Sequence, residues 1–218
     1  MLERYLSVNR WKLFSGIVLV NMLFILLSQT ALINEIVFFN TYSEQLTYER
    51  SMELFSIMKT YSWTSYLLCP LVLIIKFSVV SVVIYIGVFF CDMQKDITMP
   101  KVFTVVIACE AVFVLAAAAK LLWFIFFAGN YTLNDMHFFY PLSLVNLFRQ
   151  SEVAPYWIYP LQAVNLFQLA YVIMLSAGLA KLSSVKRDTT DRIVLITYLP
   201  AITLWVVFIL FLTIDVPV

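Results

Sequence analysis

The chain has 218 residues, of which 63% are hydrophobic and 12% charged, and its mean hydropathy is +0.93. A soluble domain carries about twice that charged fraction, so this composition points to lipid as the solvent. A net charge of +1, with no basic patch interleaved with aromatic residues, argues against nucleic acid as a partner.

A helix that crosses a bilayer needs about 20 mostly apolar residues, and five stretches meet that need. The first covers residues 13–33, interrupted by Ser15, Asn21 and the polar group from Ser28 to Thr30. It resembles a signal-peptide core but reads as an uncleaved span. The others cover residues 66–90, 102–128, 161–182 and 193–214. No alternating strand pattern recurs between them, and a lipid-facing sheet would have to close into a barrel. The expected fold is all-α: a polytopic membrane helical bundle of five transmembrane helices with two interfacial amphipathic helices, forming a single transmembrane domain over residues 1–218.

The first amphipathic helix is expected to open at Thr41-Tyr-Ser-Glu44, a capping-box pattern. Leu54, Ile57, Met58 and Tyr61 would form its apolar face, with Glu49, Glu53, Ser56 and Thr60 opposite. Such a helix lies along the membrane surface or packs over the spans. The second is expected to start at Pro141, with Leu144, Val145 and Phe148 apolar and Ser143, Asn146 and Arg149 polar. Phe138, Phe139, Tyr140, Tyr156, Trp157 and Tyr159 around it suit the headgroup zone. Pro160 is expected to open the fourth span.

Basic residues set the orientation. With the N-terminus inside, Arg4, Arg10, Lys12, Lys95, Lys101, Lys181, Lys186, Arg187 and Arg192 fall on the cytoplasmic side, nine in all. Arg50, Lys59 and Arg149, three, fall outside. Five spans then put the C-terminus outside, and the tail at residues 215–218 holds no basic residue to oppose this.

Ionisable groups inside spans are the positions that most demand an explanation, since each costs about 2.5–3.5 kcal/mol at mid-bilayer on insertion scales. They are Lys76, Glu110 and Lys120. At ~1.5 Å rise per residue, Lys76 and Glu110 are expected about 9 Å apart in depth. That leaves two readings: a polar site shared between them, or Glu110 turned toward Lys101 with Lys120 snorkelling outward. Asn21, Gln162, Asn165 and Gln168 are expected to hydrogen-bond between helices, and the small-residue patch from Ala116 to Ala119 to admit a close helix neighbour.

Catalytic and metal-binding patterns are missing. Cys69, Cys91 and Cys109 form no CxxC pair, and His137 is the single histidine. Zinc or haem would need several such ligands, and free thiols packed as small hydrophobes are expected. There is no HExxH, no aspartate inside a span and no glycine loop to cradle phosphate. No cofactor, no metal and no catalytic residue is expected. Asn130-Tyr-Thr132 matches a glycosylation sequon, a pattern that arises readily by chance.

Three stretches are similar to the Yip1-domain family of five-span membrane proteins, over about residues 60–214. They are YLLCPLVLIIKFSVVSVVIYIGVFFC from Tyr66 with MPKVFTVVIACE from Met99, YPLSLVNLF from Tyr140, and NLFQLAYVIMLSAGLAKLSSVKR from Asn165. Asn165 stands where the family often has an acidic residue and Ala170 where it often has Trp, and the eukaryotic trafficking motifs are missing. The resemblance implies a five-span protein of the bacterial branch, a group whose role is unassigned.

These readings converge on a non-enzymatic protein of the bacterial inner membrane. Its partners would be the lipid bilayer and either another membrane protein or further copies of itself. An accessory or scaffold subunit of a membrane complex is expected first. A small transporter, channel or lipid-handling protein using Lys76, Glu110 and Lys120 is the alternative.

Overall fold

In the computed structural model, which describes residues 9–214, the chain is helical, with no strand among the described residues. Arg4 and the tail at 215–218, both used in the orientation argument, lie outside the described residues.

Helix α1 (Arg10–Leu27) runs on through a wider π turn, Ser28–Leu32. Two short helices follow, α2 (Glu35–Tyr42) and α3 (Tyr48–Tyr61), and then the long α4 (Thr64–Phe90). The third run is divided into α5 (Met99–Cys109) and α6 (Ala111–Phe126), joined at Glu110. Helix α7 (Leu133–Phe138), the 3-10 turns Leu144–Leu147 and Gln150–Glu152, and α8 (Pro155–Ala163) fill the next connection. The chain ends in α9 (Leu166–Ser183) and α10 (Arg187–Ile214).

Five helices are long and apolar enough to cross a membrane: Arg10–Leu32, Thr64–Phe90, Met99–Phe126, Leu166–Ser183 and Arg187–Ile214. The bundle has a short-connection end, with the α4–α5 and α9–α10 turns, and a long-connection end that carries α2, α3, α7 and α8. At the short end Asp92 and Ser184 take positive φ, 55° and 59°. These left-handed residues stop α4 and α9 sharply.

The third run is the centre of the bundle, with 50% of its most apolar window buried, and the first is its edge, with 6%. Helix α5 packs on α1, α4 and α9, while α10 packs on α4, α8 and α9. The core contains Phe77, Ile84, Val105, Val106, Ile107, Tyr171, Leu175 and Ile193, all fully enclosed. The outside is apolar too: Leu19, Leu67, Phe90, Leu115, Leu169 and Leu204 are each more than half exposed. A monomeric soluble protein does not carry apolar surface on that scale.

The two amphipathic helices depart from expectation. Thr41 opens no helix. Asn34 has already capped α2 by accepting from Val37 N at 2.9 Å, so Thr41 sits in the last turn with its hydroxyl bonded back to Val37 O at 2.7 Å. The next helix opens at Thr47, which accepts from Arg50 N. Its inward face is Ser51 and Phe55, while Ile57, Met58 and Tyr61 are exposed and Leu54 is half-buried. A full capping box occurs elsewhere, at Thr132 and Asp135.

Pro141 opens no helix either. Leu142 follows it at φ 52° and reverses the chain. Ser143 pairs with Asn165 in an isolated antiparallel bridge, made by Leu144 N to Val164 O at 3.0 Å and Leu166 N to Leu142 O at 3.1 Å. Backbone tied into that bridge cannot also be helical. One 3-10 turn remains, with Val145 buried and Leu144 and Phe148 exposed.

The fourth run is broken for the same reason. Pro160 lies inside α8 rather than opening the span, and a fresh helix starts after Asn165. The third run also has its break, at Glu110, so two of the five runs are discontinuous where continuous helices were expected.

Candidate polar site in the bundle interior

Lys76 on α4 and Glu110 at the α5–α6 joint meet directly. Lys76 Nζ donates to Glu110 Oε1 at 2.7 Å and to Oε2 at 2.9 Å. The expected gap of about 9 Å closes because α5 starts at Met99, three residues before the apolar run, which lifts Glu110 by about 4.5 Å. The Lys76 stem covers the rest. The Glu110 side chain is 5% exposed and that of Lys76 38%. Glu110 therefore does not turn to Lys101, whose ammonium donates to Asp96 O at 3.0 Å. A second contact holds the cation, since Lys76 Nζ lies 4.4 Å from the centroid of the Phe113 ring, a favourable cation–π geometry.

Aromatic residues continue the site. Phe113 packs on Tyr171 of α9 at 4.8 Å between centroids, and Tyr171 on Tyr198 of α10 at 5.5 Å. Tyr198 Oη accepts from Gln168 Nε2 at 2.8 Å. The Tyr171 hydroxyl is enclosed and has no hydrogen-bond partner among the described residues. Phe113, Tyr171 and Tyr198 gave no signal in the sequence, where they read as three more aromatics among apolar neighbours.

The uncharged polar residues divide. Gln168 makes the expected bond between helices. Asn21 does not: its Nδ2 donates to Ile17 O of its own helix at 2.8 Å, which relieves the amide locally. Asn165 acts at the helix break, accepting from Gln168 N at 2.7 Å and donating to Gln162 O at 2.8 Å. Gln162 in turn donates to His137 O and Phe138 O at 2.6 and 2.8 Å, tying α8 to α7. Because the Asn165 side chain satisfies one of the free N–H groups of α9, Asn165→Ala is expected to cost about 1–2 kcal/mol. Thermal unfolding in a neutral detergent measures it, and Asn165→Asp, which keeps the cap but loses the donation to Gln162 O, should also fall below wild type.

Lys120 is different. It lies one turn from Ala116 and one turn from Phe124, which are 2% and 4% exposed, so it is on the inward face of α6. The lipid-side face carries Leu115, Leu122 and Phe126. Lys120 is half-buried and has no ion-pair or hydrogen-bond partner among the described residues.

From the long-connection end Tyr140 reaches into the field of the same group. Burial first, and then the Glu110 carboxylate, push its hydroxyl above the usual 10.0. A raised tyrosine pKa favours the neutral form in the folded state, so its stabilisation is full below the ordinary value and fades as pH rises through the folded value. Ultraviolet difference titration of Tyr140→Phe against wild type is expected to remove one late-ionising tyrosine.

A polar cluster missed in the sequence lies at the short-connection end. Ser176 hydrogen-bonds with Asp191 and lies 3.2 Å from Thr190 Oγ1, and Arg187 Nε reaches Asp191 at 3.4 Å. Asp191 stands just before the fifth apolar run, where it reads as a solvated charge. No group of three or more metal-binding side chains occurs among the described residues, and the thiols of Cys69, Cys91 and Cys109 are free.

In comparisons with known proteins, no family model, curated protein or solved structure matches this chain. The likeness to Yip1-domain proteins rests on the quoted residues alone.

Proposed function

We propose that this chain is a non-enzymatic, multi-pass protein of the bacterial inner membrane that serves as an accessory or scaffold subunit of a membrane complex. Its N-terminus would be cytoplasmic and its C-terminus outside, following the nine-to-three division of basic residues. The observation that carries the reading is the orientation of α3. Its stripe of Ile57, Met58 and Tyr61 is exposed, continued by Trp63 at 59% exposure, while Phe55 and Tyr48 seat the helix on α2 through Phe38 and Phe39, at 5.5 and 5.3 Å between ring centroids. An amphipathic helix that turns its apolar stripe away from its own bundle leaves that stripe for a lateral contact. Inside the bundle Lys76 pairs with Glu110, and Gln168 and Asn165 make their hydrogen bonds within the chain.

The test is extraction from native membranes in a mild detergent, with size measured by light scattering. A complex of fixed stoichiometry that Ile57→Asp with Met58→Asp disperses, while the chain keeps its thermal transition, is the expected result. A monodisperse monomer from native membranes overturns the reading.

The alternative, a small transporter, channel or lipid-handling protein, draws on the breaks at Glu110 and at Val164–Asn165. Discontinuous helices at a polar site are a recurring feature of transporters. Transport or lipid scrambling by the purified chain in vesicles, lost in Lys76→Met, would favour it over the subunit reading.

A further inference from the structure

A cavity of about 310 Å³ lies at the long-connection end, between the last turn of α6 and α7. That volume is at the small end of ligand sites, which run from about 300 to 1,000 Å³. Trp123, Phe124, Tyr131, Phe138 and Phe139 line it, and Asp135 is the one charged residue on its wall among the described residues. Trp123 is 45% exposed, so the cavity is reached from outside the bundle.

The rings hold one another in place. Phe139 lies nearly parallel to Trp123, at 15° and 5.3 Å between centroids, and nearly perpendicular to Phe124, at 85° and 5.6 Å. Phe124 also meets Tyr131 at 5.1 Å, and the Tyr131 hydroxyl donates to Leu32 O at 3.0 Å. Ring planes of two orientations therefore border one space, as in an aromatic box. Aromatic faces are negative and attract a cation placed over them.

The carboxylate is positioned by the capping box of α7. Thr132 N and Oγ1 both donate to Asp135 Oδ2 at 2.8 Å, which leaves Oδ1 without a hydrogen-bond partner among the described residues. No lysine or arginine is on the wall, so the negative charge is not cancelled from within the cavity. The carboxylate disfavours an anion. A metal ion needs more ligands than one side chain offers, and no group of three metal-binding side chains occurs among the described residues. What fits both the charge and the rings is a cation that is partly apolar, an ammonium carried on carbon.

We infer that this cavity binds an organic ammonium group, with Asp135 as its counter-charge and the rings of Trp123, Phe124 and Phe139 as its apolar walls. Two sources offer that chemistry: the ethanolamine headgroup of a zwitterionic lipid, or a free small amine. The position suits a lipid. Trp123 is in the last turn of α6, where indole rings meet headgroups, and Leu122 and Phe126 beside it are exposed along the path of an acyl chain. The inference is independent of whether the chain docks with a partner through α3.

The test uses the full chain in nanodiscs of phosphatidylglycerol with a small fraction of phosphatidylethanolamine, read by native mass spectrometry for lipid retained per chain. A parallel titration with ethanolamine, in neutral detergent, is read by calorimetry. One retained phosphatidylethanolamine per chain, enriched about tenfold or more over its share of the lipid, supports the inference and assigns the lipid source. Saturable ethanolamine binding without that enrichment supports it and assigns the free amine. In either case Asp135→Asn, which keeps an acceptor for Thr132 N, is expected to weaken binding about tenfold or more. Trp123→Leu is expected to weaken it about fivefold. Both variants should keep a wild-type thermal transition in the absence of ligand. If either does not fold, Asn130→Lys takes its place: it brings a cation to an exposed residue of the wall and should weaken binding by a similar factor. Binding of neither probe by wild type, or equal binding by wild type and these variants, overturns the inference.

Discussion

Lys76→Met is expected to destabilise the folded chain by about 3 kcal/mol, and Lys76→Met combined with Glu110→Met to recover most of that loss. Removing one member of a buried pair leaves the other charge enclosed without compensation, at about 3–5 kcal/mol. The lower end applies because the Lys76 side chain is 38% exposed while that of Glu110 is 5% exposed. The converse single variant, Glu110→Met, frees an ammonium that retains the Phe113 face at 4.4 Å and some access to its surroundings, so it should cost less than Lys76→Met. Replacing both groups by apolar side chains of similar size removes the desolvation penalty together with the attraction, and such exchanges are often neutral or better. Reversible unfolding by a denaturing detergent in mixed micelles measures all four species of the cycle. A coupling energy near zero, with additive losses, would show that the two side chains do not stabilise each other. The pair would then give no account of why a carboxylate stands at the joint between α5 and α6.

The parts of this architecture that were legible in the sequence are those set by length and hydropathy. Five apolar runs announce five helices because in a lipid setting the backbone must satisfy itself within each run. Lys76 and Glu110 were legible as a candidate site for the same reason, since few other charges interrupt those runs. What resisted reading depends on backbone satisfied across the fold. The residues from Tyr140 to Phe148 look like a short amphipathic helix until Ser143 is paired with Asn165, a partner more than twenty positions away. Thr41 has the pattern of a cap, but Asn34 had already started the helix in which it lies. Lys120 looks like a snorkelling residue on depth alone, and only the burial of Ala116 and Phe124 on either side shows which way its face is turned. Tyr171 carries no mark in the sequence that its hydroxyl is stranded.

Gly178→Leu is expected to cost about 3 kcal/mol or more, while Gly16→Leu is expected to be silent. In a bilayer there is no hydrophobic gain from bringing two helices together, so association rests on close packing, and small residues decide how near two backbones come. The alanine patch at 116–119 advertised such an approach. The tighter ones are at glycines. A Cβ built on Gly178 of α9 meets Val105 Cγ1 of α5 at 2.6 Å, and one on Gly87 of α4 meets the Thr197 methyl of α10, with Ile193 Cγ2 at 3.1 Å. Val105 is fully enclosed and β-branched, so it has little rotamer freedom with which to yield. Inserting even one carbon there forces α5 and α9 apart, and overpacking costs typically about 1–3 kcal/mol, more for a four-carbon side chain at the central contact of the bundle. The better helix propensity of alanine returns about 1 kcal/mol, so Gly178→Ala should lose less than Gly178→Leu. Gly16 has nothing within 4 Å of its Cβ position, which makes it the control for adding apolar bulk on a lipid-side face. Val105→Ala in the Gly178→Ala background removes the colliding Cγ1 methyl, and part of the loss should return. If Gly178→Leu unfolds at the same denaturant concentration as wild type, α5 and α9 do not approach this closely, and the enclosure of Tyr171 and Glu110 that depends on their packing fails with it.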